Sequence, residues 1–154
     1  MANSTSANLK LTVQATGENS GTWGQITNTN LLILEQAIGG YDAFNVTNAS
    51  RALTFTNGAV SDGKNEVIKL TGTLEANVNV TIPDSIEKTY TVQDACDHAG
   101  YTLTFKTTSG SGVLLCEGHT YQLWSDGTNI IKVLKKKYGE QSLLLKQFNQ
   151  VHKF

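Results

Sequence analysis

The sequence predicts a mainly β protein: an antiparallel β-sandwich or open barrel with one N-terminal α-helix and a short C-terminal arm or helix. Three observations carry this. From Asn65 to Val133 apolar residues recur mostly at every second position, the period of strands with one buried face. Turn-forming clusters interrupt that stretch at short intervals. Only one run near the N-terminus, Trp23 to Ile38, changes to a helical period.

In chain order, Met1 to Asn8 is a polar arm with no large apolar residue after the initiator. Leu9, Leu11 and Val13 alternate with Lys10, Thr12 and Gln14, a short strand that pairs within the domain or adds to a neighbour's sheet edge. Gly17 to Gly21 is a turn. After it Trp23, Ile26, Ile33, Leu34 and Ala37, widened by Leu31, Leu32 and Ile38, define a helix. Thr22 is its expected N-cap, Gln25 completes a capping box, and Gly39-Gly40 is the stop. Leu31 to Leu34 is apolar on all sides. Two readings follow: the helix plugs the end of the β-core, or its second face packs on symmetry mates or a docking partner.

Gly40 to Ser50 reads as a connector, and strands resume at Leu53 and Phe55. The alternating set is Ile68, Leu70 and Leu74; Val78, Val80 and Ile82; Tyr90 and Val92; Tyr101, Leu103 and Phe105; Val113 and Leu115; Tyr121 and Leu123; Ile131 and Val133. Pro83-Asp84, Gly100, Gly110 to Gly112 and Ser125 to Asn129 punctuate it. Asp126-Gly127 between two apolar runs predicts a type I′ hairpin, since both residues tolerate positive φ. The pentapeptide Ser61 to Asn65 (SDGKN) nearly copies Ser125 to Asn129 (SDGTN), through an internal repeat or through convergent turn chemistry. Beyond Leu134 come the basic run Lys135 to Lys137 and then Leu143, Leu144, Leu145, Phe148 and Val151, spaced for a one-sided helix of about three turns that must dock to be stable. The divisions expected are 1–50 for arm, strand and helix, 51–134 for the β-module, and 135–154 for a C-terminal arm.

Composition narrows the function. A chain of 154 residues holds one domain, with or without an appendage. Charged residues are 16% and the net charge is −1, which excludes the basic patch of a nucleic-acid binder. The N-terminus lacks the basic-then-apolar pattern of a secretory signal, and no stretch reaches the roughly 20 apolar residues of a membrane span, so synthesis in a cytoplasm without membrane insertion is expected. Two cysteines are too few for a disulfide scaffold.

Several stretches imitate chemistry. Gly58 to Asn65 approaches a phosphate-binding loop, but Asn65 stands where a hydroxyl must hold Mg²⁺ and a strand follows where a helix is needed. Cys96, His98, Cys116 and His119 leave three alternatives: a zinc site of atypical spacing, a disulfide, or a buried Cys116 packing as a small hydrophobe. Asp84, Glu87, Asp94, Asp97, Glu117 and Asp126 fall in expected turns and form no recognisable catalytic pair. Tyr90, Tyr101, Tyr121 and Trp124 line a sugar-binding face or belong to a core or interface. No catalytic residue, metal ligand or cofactor is assigned.

With these residues in view, the run from Leu9 to Gly40, containing TGENSGTWGQITNTN, resembles the TG-x-N-x-x-TWG-x-x-x-NTN opening of tailed-bacteriophage virion proteins of the tail-fibre or structural kind. The segments Leu74 to Pro83, Thr104 to Gly112 and Trp124 to Asn129 resemble the β-module that follows it there. The likeness spans Leu9 to Val133. It implies a homotrimeric, non-enzymatic part of a virion. Such fibres continue into repeats, a shaft and a tip, whereas only Leu134 to Phe154 follow here. A short fibre or a tail or neck adaptor is therefore expected, with a head decoration protein or a host-glycan-binding module as alternatives. The partners implied are further copies of the chain and other virion proteins of tail, neck or capsid. The expected interface residues are Trp23, Ile26, Leu31, Leu34, Ile38, Leu144, Phe148 and Val151.

Overall fold

The computed structural model describes residues 2–133, and these are mainly β with one α-helix, as expected. The N-terminal arm pairs with its own chain: β1 (Ser4–Thr5) lies antiparallel to β2 (Thr12–Val13). The helix α1 (Trp23–Gly39) follows. The stretch read as a connector contains a strand, β3 (Tyr41–Asn45), because Phe44 and Val46 face the core. Then come β4 (Arg51–Ala52), a 3-10 turn (Asp62–Lys64), β5 (Val67–Thr73), β6 (Val78–Ile82), β7 (Glu87–Asp97), β8 (Leu103–Thr107), β9 (Gly112–Leu114), β10 (Thr120–Asp126) and β11 (Ile130–Lys132).

Two sheets form the body, one ordered β11-β10-β7-β5-β3 and the other β4-β6-β8-β9. From β3 to β8 the chain alternates between them. Tyr41 pairs with Val67 and Val67 with Thr91 in one sheet, while Arg51 pairs with Val80 and Val80 with Phe105 in the other. Each coil of about 25 residues therefore stacks on the one before, the arrangement of a short two-sheeted solenoid. All of these pairings are parallel. Within the two main sheets the antiparallel direction expected throughout is confined to β8–β9, β7–β10 and β10–β11, which close the far end. The turns at Pro83 and Gly100 are corners between sheets and not hairpins. Clean alternation read as antiparallel because parallel sheets are usually covered on both faces; here each sheet is covered on one face only.

The core lies between the sheets. Phe44, Ile68, Leu70, Tyr90, Val92, Tyr121 and Leu123 from one sheet meet Val78, Val80, Ile82, Leu103 and Phe105 from the other. Tyr90 and Phe105 contact edge to face at 5.4 Å between ring centroids. Three positions of the expected pattern fall elsewhere. Tyr101 is exposed at a corner, and Ile131 and Val133 are exposed because Ile130 takes the inward place in β11. The Ser125–Asn129 turn is longer than type I′: Asp126 N donates to Asn129 O, and only Gly127 has positive φ there (+85°).

Candidate functional site

The helix α1 has two apolar faces, and its own chain covers one. At 3.6 residues per turn, Ile26, Asn30, Ile33 and Ala37 share a side. Ile33 is fully buried on it, and the Asn30 amide both donates to Thr12 O (2.8 Å) and accepts from Thr12 N (2.9 Å). Gln36 completes the attachment: its Nε2 donates to Asn65 Oδ1 and its Oε1 accepts from Ser61 N, each at 3.2 Å. The expected capping box is absent. Thr22 makes no side-chain cap, and its hydroxyl donates back to Asn19 O because Asn19, at φ +64°, turns the chain sharply before the helix.

The flanking face, turned by about 100° from the first, holds Thr27, Leu31, Leu34 and Ile38, spaced four, three and four, the a/d spacing of a helix–helix seam. Leu31 is 58% exposed, Leu34 37% and Ile38 79%, with Trp23 and Leu32 also bare. Among the sequence-expected interface residues, Ile26 turns toward the protein's own body. Trp23, Leu31, Leu34 and Ile38 face outward; Leu144, Phe148 and Val151 lie outside the described residues. The outer face of the five-stranded sheet adds an uncharged row, Tyr41, Val67, Thr91 and Gln122, next to Thr89, Trp124 and Ile131.

The Cys96/His119 region resolves differently from every reading of its spacing. Both cysteines are free; Cys96 is the buried one and Cys116 is exposed, because Leu115 takes the inward position at the end of β9. Among the described residues no three His, Cys, Asp or Glu side chains are grouped to hold a metal ion. What the corner does contain is a carboxylate–imidazole pair. Asp94 lies inside β7, not in a turn, and is fully buried by the same alternation that buries Tyr90, Val92 and Cys96. Its Oδ2 is 2.7 Å from His98 Nε2 and its Oδ1 accepts from Cys96 N, while Glu117 Oε2 accepts from His98 N. Burial, with Asp94 alongside, pushes the Cys96 thiol up to about 12, so it is not an available nucleophile. No sequence signal marks Asp94 except its even spacing from Tyr90 and Val92.

The phosphate-loop lookalike is a structural plug. Lys64 is fully buried and its ammonium donates to Thr56 O (2.7 Å) and Ala59 O (2.5 Å), so it is withdrawn from any phosphate. Burial lowers its pKa, with a smaller push from Lys10. Asp62 accepts from Thr54 N (2.6 Å), Thr54 Oγ1 (2.7 Å) and Gly63 N (2.8 Å), and pairs with Arg51 at 3.2 Å. Arg51 also lies over the Phe44 ring at 4.2 Å. Beside this pair is an open cleft of about 540 Å³ lined by Asn45, Thr47, Ser50 and Thr54. The matching pentapeptide Ser125–Asn129 sits in the β10–β11 turn, where Asp126 accepts from Thr128 N and Asn129 N. The likeness is thus shared turn chemistry, and the two are not equivalent places in the coils.

The aromatic set divides. Tyr90 and Tyr121 are in the core, whereas Tyr101 sits at a sheet-to-sheet corner and Trp124 on the outer face of β10, so no joint aromatic platform forms. No family of known proteins, no curated protein and no solved structure matches this chain.

Proposed function

We propose that this protein is a non-enzymatic structural component of a tailed-phage virion, a trimeric short fibre or a tail or neck adaptor. The observation that carries the reading is the bare outward face of α1. A helix that leaves Leu31, Leu32, Leu34 and Ile38 in water forgoes about 1.5–3 kcal/mol for each side chain that could be fully buried, and association recovers it. The likeness of TGENSGTWGQITNTN and of the β-module to virion proteins supplies the particle and the three-fold symmetry. Trimer contacts fall on α1 and on the uncharged outer rows of the five-stranded sheet. The body then acts mechanically, as stacked coils whose shape is held by a dry core.

Light scattering at micromolar concentration is expected to return three times the chain mass. A folded monomer would sink the trimer. Cryo-electron microscopy of the intact particle then tests the location: three-fold projections on tail or neck support the fibre or adaptor, and density spread over the capsid lattice makes it a head decoration protein. Host-surface glycan binding is tested by a glycan array probed with the wild-type chain, which this reading expects to show no binding.

A further inference from the structure

We propose that the outward face of α1 is the seat of the C-terminal segment of a neighbouring copy, with Leu144, Phe148 and Val151 packing on Leu31, Leu34 and Ile38. This rests on the trimeric reading above and adds to it the identity of the contacting parts. Two observations on the chain point to this segment, and a third, the place where it leaves the body, puts the neighbouring copy within its reach.

The first is spacing. Leu31, Leu34 and Ile38 follow one another at three and four residues, and Leu144, Phe148 and Val151 at four and three, so both strips repeat at the interval of a helix seam. The second is charge. Residues 134–154 carry Lys135, Lys136, Lys137, Lys146 and Lys153 against Glu140, a net +4; with the whole chain at −1, the remainder carries −5. Of the remainder's charges Lys64, Lys88 and Asp94 are buried, which leaves its surface one unit more acidic. A basic, apolar segment complements this body and α1, whose only charged side chain is Glu35.

The third is position. The segment leaves from Val133, just after β11, at one edge of the five-stranded sheet, and α1 leads into β3 at the other edge. Ten residues, 134–143, separate Val133 from Leu144 and reach about 33 Å when extended, so its own α1, four strand spacings of about 4.8 Å away, and that of an adjacent copy are both within range. In a head-to-tail ring the β11 edge of one copy meets the β3 edge of the next, and the segment steps onto the adjacent α1. Such heterologous contacts close at three copies when the rotation is three-fold.

The test uses the full chain carrying Leu34→Cys and Leu144→Cys in a Cys116→Ser background, with Cys96 left buried. Mild oxidation is expected to give disulfides between chains, seen as covalent oligomers on a non-reducing gel. Phe148→Glu, again in the full chain, is expected to lower amide-exchange protection over Leu31 to Ile38. A disulfide formed within single chains overturns the inference. So does an intact trimer in which Phe148→Glu leaves exchange on α1 unchanged, and in that case the trimer itself survives. A monomeric wild-type chain removes the trimer and this contact together.

Discussion

Asp62 shows how one side chain closes a loop. Burial works to raise its pKa, but hydrogen bonds from Thr54, Arg51 and Gly63 outweigh that and hold it below the ordinary 3.8. A carboxyl lowered in the folded state contributes stability that is complete above its unfolded pKa and is lost as pH falls through the lower folded value. Asp62→Asn is expected to cost about 1–3 kcal/mol in urea unfolding at neutral pH and to flatten the acid limb of stability below pH 3.8. Lys64 has the opposite sign. Its folded pKa is lowered from 10.5, so burying the ammonium is a penalty that eases as pH rises from that lowered value toward 10.5. At the cysteines, a thiol reagent is expected to modify one group per native chain, Cys116, and both only after unfolding. Two fast groups in the native chain would contradict the burial of Cys96. The sequence showed that these thiols and imidazoles lie near one another in chain order but not which faces inward, since a one-residue change of phase exchanges inside and outside.

Among the elements, α1 and β7 were the most legible and departed from expectation in instructive ways. The two apolar faces of α1 allow a paired experiment. Ile33→Ala, on the covered side, is expected to lower unfolding free energy by about 2–5 kcal/mol. Leu34→Glu, on the bare side, is expected to leave thermal unfolding of the monomer within about 0.5 kcal/mol while reducing the assembled mass in light scattering. Equal destabilisation by both would mean that the two faces are not distinct. In β7 strict alternation carries Lys88, Tyr90, Val92, Asp94 and Cys96 inward. The charged members flank Tyr90 and Val92, Lys88 held by Glu66 Oε2 at 3.1 Å with Asn65 O and Thr89 O, and Asp94 by His98. A carboxylate at an inward strand position was unreadable as such, because in sequence it resembles an ordinary turn acid.

At the scale of the whole molecule the body is a stack of coils that depend on one another, closed at one end by β9, β10 and β11. Closure there relies on close approach. A Cβ on Gly110 would run into the Thr128 carbonyl, and the Thr107 hydroxyl donates to that same oxygen. The core cluster of the described residues runs from Phe44 to Ile130; deleting Tyr138 to Phe154 is therefore expected to leave cooperative unfolding of the body in place and, on the virion reading, to lower incorporation into particles. Undiminished incorporation would assign attachment to the N-terminal arm, which β1 and β2 fold back as a small ribbon.

By itself the sequence determined the mainly β character, the N-terminal helix with its surplus apolar face, and most inward positions from Ile68 to Leu123. These follow from local periodicity, and periodicity survives in one dimension. The tertiary structure alone decided that neighbouring strands run parallel, that Tyr41 to Asn45 join them, and that Asp94 meets His98 while Lys64 plugs a loop. Strand direction depends on whether a turn sends the chain to the next strand or across to the other sheet. Both routes use the same Pro, Gly and Asp residues, so only the three-dimensional path distinguishes them.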